Sequence, residues 1–138
     1  MRLSGSNGIN THLYNNAACE CDKTLVFASS GNRNSSGASK GSFQHKTVEI
    51  QGIAIDSVID KVDFIKYDVE GLEYEALLGS SKVIKNCQPD LLVSMYHRSE
   101  DLYELPILVN KLNSNYKLFL SRLPYIPAWD LNLYAKIL

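Results

Sequence analysis

The chain is short of cysteine, and its three cysteines are badly placed for crosslinking. Cys19 and Cys21 stand two apart, and Cys87 is alone. An odd count with two near neighbours is poor material for a disulfide framework, so reduced thiols and a cytoplasmic location are expected. Cys-x-Cys offers two soft metal ligands, but no second Cys or His pair comes after it at finger-like spacing, so no metal is expected. Charge of one sign is also missing. Fourteen Lys and Arg against fifteen Asp and Glu leave a net charge of -1, with no hint of the basic stripe that nucleic-acid binding by phosphate neutralisation requires. Long hydrophobic runs are absent too. No segment approaches the roughly 20 apolar residues of a membrane helix, and the opening MRLSGSNGIN has no apolar core of a signal peptide. No internal repeat is present.

What remains is an ordinary globular composition. With 138 residues, 45% apolar and 21% charged, the chain has the size of one domain able to bury a core. Residues 1–10 read as a loose, polar start. THLYNNAAC (11–19) reads as a weak strand, and KTLVFAS (23–29) as a clearer one. SSGNRNSSGASKGS (29–42) has the composition of a loop. KTVEIQGIAI then alternates apolar and polar at Val48 and Ile50, as a half-exposed strand does. The two clearer strands are expected to form a hairpin closed by the Ser/Gly loop.

From residue 55 the pattern changes. IDSVIDKV (55–62) suits a short helical turn with Asp56 as its N-cap. VDFIKYDV is a compact apolar run, read as an interior strand. From Leu72, apolar residues at Ala76, Leu77, Val83 and Ile84 predict one helix, ended by Gln88-Pro89 because the residue before proline avoids helical geometry. DLLVSMYH (90–97) is a buried strand. A further helix opens at Ser99 or Glu100, with Pro106 in its early turns or at a kink. YKLFLSR and LNLYAKIL are two strands joined by LPYIPAWD. Helices alternating with apolar strands imply an α/β fold with a parallel sheet. The short final connection makes the last two strands antiparallel.

FIKYDVEGLEYEALLGSSKVI, QPDLLVSMYHRSEDLYELPILVNKL, YKLFLSR and LYAKIL together resemble the C-terminal half of FkbM-type methyltransferases. The upstream YNNAACECDKTLVFASSGNRNSS is similar to the same family, so the resemblance covers nearly the whole chain. It implies a Rossmann-like class I methyltransferase sheet of strand order 3-2-1-4-5-7-6, the cofactor S-adenosylmethionine, and methylation of a hydroxyl on a sugar, glycan or other small molecule. One departure stands out. The family opens with a strand leading to a Gly-rich turn, then a second strand ending in an acid for the ribose. Neither is found here, and SGSNG has no apolar strand before it. The expectation is therefore one partial domain over 1–138, incomplete because its first two strands are absent. Residues 1–54 would supply N-terminal strands and loop, and 55–138 a strand-helix-strand-helix-hairpin core. Its fourth strand would present an unpaired edge, open to self-association. Such a domain would be marginal, or would draw the N-terminal hairpin onto that edge.

Ligands of open α/β sheets bind beyond the carboxyl ends of the strands. Asp68 comes just after IKY and His97 just after LLVSMY, so both stand there and suit proton transfer from an aligned hydroxyl. Asp68, His97 and Glu70 are the candidate catalytic residues, and Asp68 with Ala18 the candidate cofactor contacts, Ala18 by resemblance alone. Glu73 and Tyr96 are candidate substrate contacts. The structural alternatives are plain: Asp68 caps the next helix, Glu70 and Glu73 are first-turn acids favoured by its dipole, Tyr96 is core, and Asp101 caps the helix after that rather than orienting His97. Glu75 reads as solvated, Gly71 as a tight turn, and Ser35, Ser36, Tyr125 and Trp129 as loop residues.

Overall fold

The computed structural model describes residues 2–4, 10–29, 46–122 and 131–138. Most of the Ser/Gly loop, including Ser35 and Ser36, lies outside the described residues, as do Tyr125 and Trp129. In chain order the strands are β1 (Arg2–Ser4), β2 (Asn10–His12), β3 (Ala17–Ala18), β4 (Lys23–Ser29) and β5 (Lys46–Ile53). A 3-10 turn (Ile55–Ser57) then leads to β6 (Phe64–Tyr67), α1 (Glu73–Leu78), α2 (Ser81–Cys87), β7 (Asp90–Ser94), α3 (Asp101–Leu112), β8 (Lys117–Arg122) and β9 (Leu131–Lys136).

The first five strands make two small sheets. β1 and β2 pair antiparallel, and β5 lies between β4, antiparallel, and β3, parallel. The expected hairpin is present, with Lys23 opposite Gly52 and Ser29 opposite Lys46. The single strand expected over 11–19 is instead two pieces with different partners. Between them Leu13 and Tyr14 are about half exposed, at 48% and 51%, so little burial favours one continuous strand there.

The remaining strands form a four-stranded sheet of order β6-β7-β9-β8. β6 and β7 are parallel, and β9 is antiparallel to both β7 and β8. This is the order the resemblance implies for its last four strands, 4-5-7-6. Alternation decides the faces. Ile65 and Tyr67 of β6, Leu91 and Val93 of β7, and Leu133 and Ala135 of β9 are buried. They meet Ala76 and Leu77 of α1, Val83 and Ile84 of α2, and Leu105 and Val109 of α3 in one core. Phe64, on the other face of β6, is 53% exposed. Among the described residues β6 is an end strand and not the interior one that its apolar run suggests. Among the described residues the hairpin of β4 and β5 stays in its own sheet and does not join the β6 edge.

The helix expected from Leu72 to Gln88 is two helices, because the chain breaks at Gly79 and Ser80. Ser80 is fully buried, and its hydroxyl bonds to the Ala76 carbonyl and, at 2.7 Å, to the Tyr67 hydroxyl. The Gly79 carbonyl accepts the Asp56 N–H at 2.8 Å. Asp56, expected to cap its own turn, caps α2 instead: its carboxylate accepts the N–H of Lys82 at 2.9 Å and of Val83 at 3.0 Å. These are two of the donors a helix start leaves unpaired. Pro106 lies inside α3.

Candidate active site

The parallel register places Tyr67 beside Val93, so the chain leaves both strands at the same end of the sheet. Asp68 emerges there from β6; Ser94, Tyr96 and His97 emerge from β7. One oxygen of Asp68, Oδ1, accepts the Tyr96 hydroxyl at 2.7 Å and the Ser94 hydroxyl at 3.1 Å. Its other oxygen pairs with Lys66 Nζ at 2.9 Å. Lys66 and Asp68 are two apart on an extended strand and so share a face. Burial pushes the Asp68 carboxyl up, but the hydrogen bonds from Lys66, Tyr96 and Ser94 outweigh it and hold the group below its ordinary value. Asp68 is therefore kept as an anion. The Tyr96 hydroxyl is pushed up, first by desolvation, with its bond to Asp68 adding to it.

The turn between β6 and α1 has an unusual backbone. Glu70 has φ +56° and Gly71 φ +95°, and the latter value suits glycine alone. The N–H groups of Val69 and Gly71 both donate to Glu73, at 2.9 Å on Oε1 and 3.0 Å on Oε2. Asp68 does not cap α1, whose start at Leu72 has no side-chain cap; Glu73 instead reaches back to tie the turn that leads into the helix. Glu73 also faces His97, whose Nδ1 lies 2.8 Å from Oε1. The carboxylate is fully buried and takes all its partners from within the protein. The expected substrate contact for Glu73 consequently has no exposed atom to make it.

His97 stands at the centre of the cluster. Its Nε2 is 3.8 Å from Asp68 Oδ1 and 3.7 Å from Glu70 Oε2. The Tyr96 and His97 rings lie 4.4 Å apart between centroids. The Glu70 side chain is 71% exposed, at the mouth of the cluster. Arg98 closes the other side, with its guanidinium 3.4 Å from the Gly71 carbonyl and 3.2 Å from Glu100. Asp101, the first residue of α3, accepts the Arg98 N–H at 2.9 Å in the turn before the helix. The N-cap position is Glu100 and no side chain caps it, so the expected cap is not made. Burial pushes the Asp101 carboxyl up. Ala18 lies on β3, in the separate sheet, half-buried against the core, and is not bonded into this cluster.

Asp68, Glu73 and His97 bring one ligand atom each within 4.8 Å of one another. Of these ligand atoms, Glu73 Oε1 already accepts the Val69 N–H and faces His97 Nδ1, and Oε2 accepts the Gly71 N–H. Ser94 and Lys66 belong to the site, and sequence reasoning misses them. A serine inside an apolar run reads as filler, whereas the i, i+2 relation of Lys66 to Asp68 is a signal the sequence does carry.

Residues 2–121 match the model of the methyltransferase FkbM domain. The chain belongs to the FkbM methyltransferase family. Among solved structures, this FkbM-family chain is similar to the methyltransferase FkbM of Methylobacillus flagellatus KT, with a TM-score of 0.70 and 27% identity. The match covers 90% of this chain and 28% of that one, so the chain spans under a third of its relative's length. No curated protein matches it. Among the described residues, no helix is long and apolar enough to cross a membrane.

Proposed function

We propose that the chain is part of an S-adenosylmethionine-dependent methyltransferase acting on a hydroxyl of a small molecule or glycan, with His97 as general base. The observation that carries this is the placement of His97 Nε2 3.8 Å from Asp68 Oδ1 at the ends of two adjacent parallel strands. A base must reach its proton, and groups at the carboxyl ends of such strands face the ligand crevice. Asp68 is the weaker base of the two, because three hydrogen bonds hold it as an anion. Its charge suits two other tasks: it favours the imidazolium formed when Nε2 takes the hydroxyl proton, and it attracts a cationic ligand.

S-adenosylmethionine, when bound, supplies a methyl group on a positively charged sulfur. The ionised, part-exposed carboxylate of Asp68 fits that charge. Tyr96 and Glu70, both exposed beside Nε2, would orient the acceptor. Ala18 would line the cofactor pocket by family resemblance. The sequence holds no Gly-rich turn behind an apolar strand, which supports a chain that is inactive alone. That same gap favours a second reading, a non-catalytic remnant or interaction module whose exposed β6 edge pairs with other chains. In both readings the cytoplasm is the expected compartment, on cysteine usage.

Isothermal titration of the 138-residue chain with S-adenosylmethionine tests the inactive-fragment reading, and micromolar binding would overturn it. For the chemistry, Asp68→Asn and His97→Ala belong in a chain completed upstream with cofactor-binding strands. Loss of a general base costs about 100-fold to 10,000-fold in turnover. Wild-type turnover in both variants would sink the assignment.

A further inference from the structure

We propose that Glu73 is the positioning residue of this site: its buried carboxylate selects the His97 tautomer with hydrogen on Nδ1, leaving Nε2 as the free base. The inference rests on reading His97 as a base, but its first test reads the tautomer and not the reaction.

A neutral imidazole carries one hydrogen, and the partner of one nitrogen decides where it sits. Glu73 is that partner, 2.8 Å from Nδ1. Its other two partners are the backbone N–H groups of Val69 and Gly71. A backbone N–H can only donate, so both hold the carboxylate in the accepting role. An ionised carboxylate has no hydrogen to give, and the imidazole must then donate from Nδ1. Among the described residues nothing comparable holds a hydrogen on Nε2. Asp68 Oδ1 and Glu70 Oε2 are 3.8 and 3.7 Å away, beyond hydrogen-bond reach. The lone pair of Nε2 therefore faces the mouth of the cluster.

The same carboxylate couples this choice to the backbone. Val69 and Gly71 send their N–H groups inward through the turn in which Glu70 and Gly71 have positive φ. With no exposed surface, Glu73 has no water to replace a missing donor, and an unpaired buried charge is costly. Turn conformation and tautomer are thus held by one group. An aspartate at position 73 is a methylene shorter and would not span the turn and the imidazole together.

The test is nitrogen-15 NMR of the imidazole side chains in the 138-residue chain, at a pH where they are neutral, with His97→Gln assigning the His97 signals. The expected result is a protonated Nδ1 and a bare Nε2, the Nδ1–H form exceeding the other about tenfold or more, as a charge-assisted bond implies. Equal tautomers, or hydrogen on Nε2, would overturn the proposal. In Glu73→Gln, an amide that donates as well as accepts, the Nδ1–H excess should fall. A folded variant that kept it would also overturn the proposal, and if the variant does not fold, the wild-type spectrum decides alone. Should the tautomer hold while His97→Ala keeps full turnover in a completed enzyme, the base assignment fails and the positioning by Glu73 stands.

Discussion

The β-carbon that Gly79 lacks would lie 2.0 Å from the carbonyl oxygen of Cys19. The joint between α1 and α2 therefore sits directly on the backbone just past β3. Neither side can give way easily, since the Cys19 N–H donates to the Ile53 carbonyl at 3.0 Å and the Gly79 carbonyl is held by Asp56. Gly79→Ala, at an ordinary helical φ of -69°, is expected to destabilise by about 3 kcal/mol or more, the upper range for overpacking. Urea denaturation gives the value, with an unchanged m showing that the denatured state is unaltered. A loss below about 1 kcal/mol would mean that the two backbones are not in contact.

Asp56→Ala removes the acceptor for the Lys82 and Val83 N–H groups. The expected cost is about 0.5–2 kcal/mol, with Asp56→Asn intermediate because it keeps one accepting oxygen. Thermal unfolding of the two variants side by side would show the order, and equal stabilities would remove Asp56 from the cap.

Gly71→Ala tests the turn beneath the site. The nearest side-chain atoms, Arg98 Cδ and Cγ, would lie 3.6 and 3.8 Å from the new carbon, which is ordinary contact. The cost comes from φ +95° and is expected at about 1–3 kcal/mol. It should be accompanied by a change in the His97 nitrogen signals, because the Gly71 N–H is one of the bonds that fix Glu73. Unchanged signals in a destabilised variant would separate turn strain from imidazole placement.

Asp68 makes stability depend on acidity. Its folded-state carboxyl titrates below the ordinary value of 3.8, burial being outweighed by Lys66, Tyr96 and Ser94. A depressed acid contributes stability that is present above its unfolded value and lost as pH falls through the folded one. The melting temperature of wild type should exceed that of Asp68→Asn near neutral pH, and the gap should close as pH falls below the ordinary value of 3.8 and through the lower folded-state one. A gap that widened on acidification would give the shift the opposite sign.

Much of this is legible in the sequence. The alternation of KTVEIQGI marks a hairpin strand, and the compact runs ending at Tyr67 and Ser94 mark strands whose ends hold Asp68 and His97. The break at Gly79 is hidden because Ala76, Leu77, Val83 and Ile84 keep helical spacing across it, and periodicity cannot register a pause that preserves phase. The burial of Glu73 is hidden for another reason. A glutamate in the first turn of a helix is ordinarily solvated, and only the positive φ of Glu70 and Gly71 turns two N–H groups inward to meet it. The sheet order comes from family resemblance; no spacing in the chain says that β9 inserts between β7 and β8.

That insertion governs how the sheet is held together. β8 precedes β9 in the chain, yet β9 is its only pairing partner among the described strands. β8 therefore joins the sheet only through β9 and has no bond of its own to β7 among the described strands. A proline in the middle of β9 would remove a ladder bond from a strand paired on both sides, whereas β8, at the border, has positions where a proline costs no ladder bond.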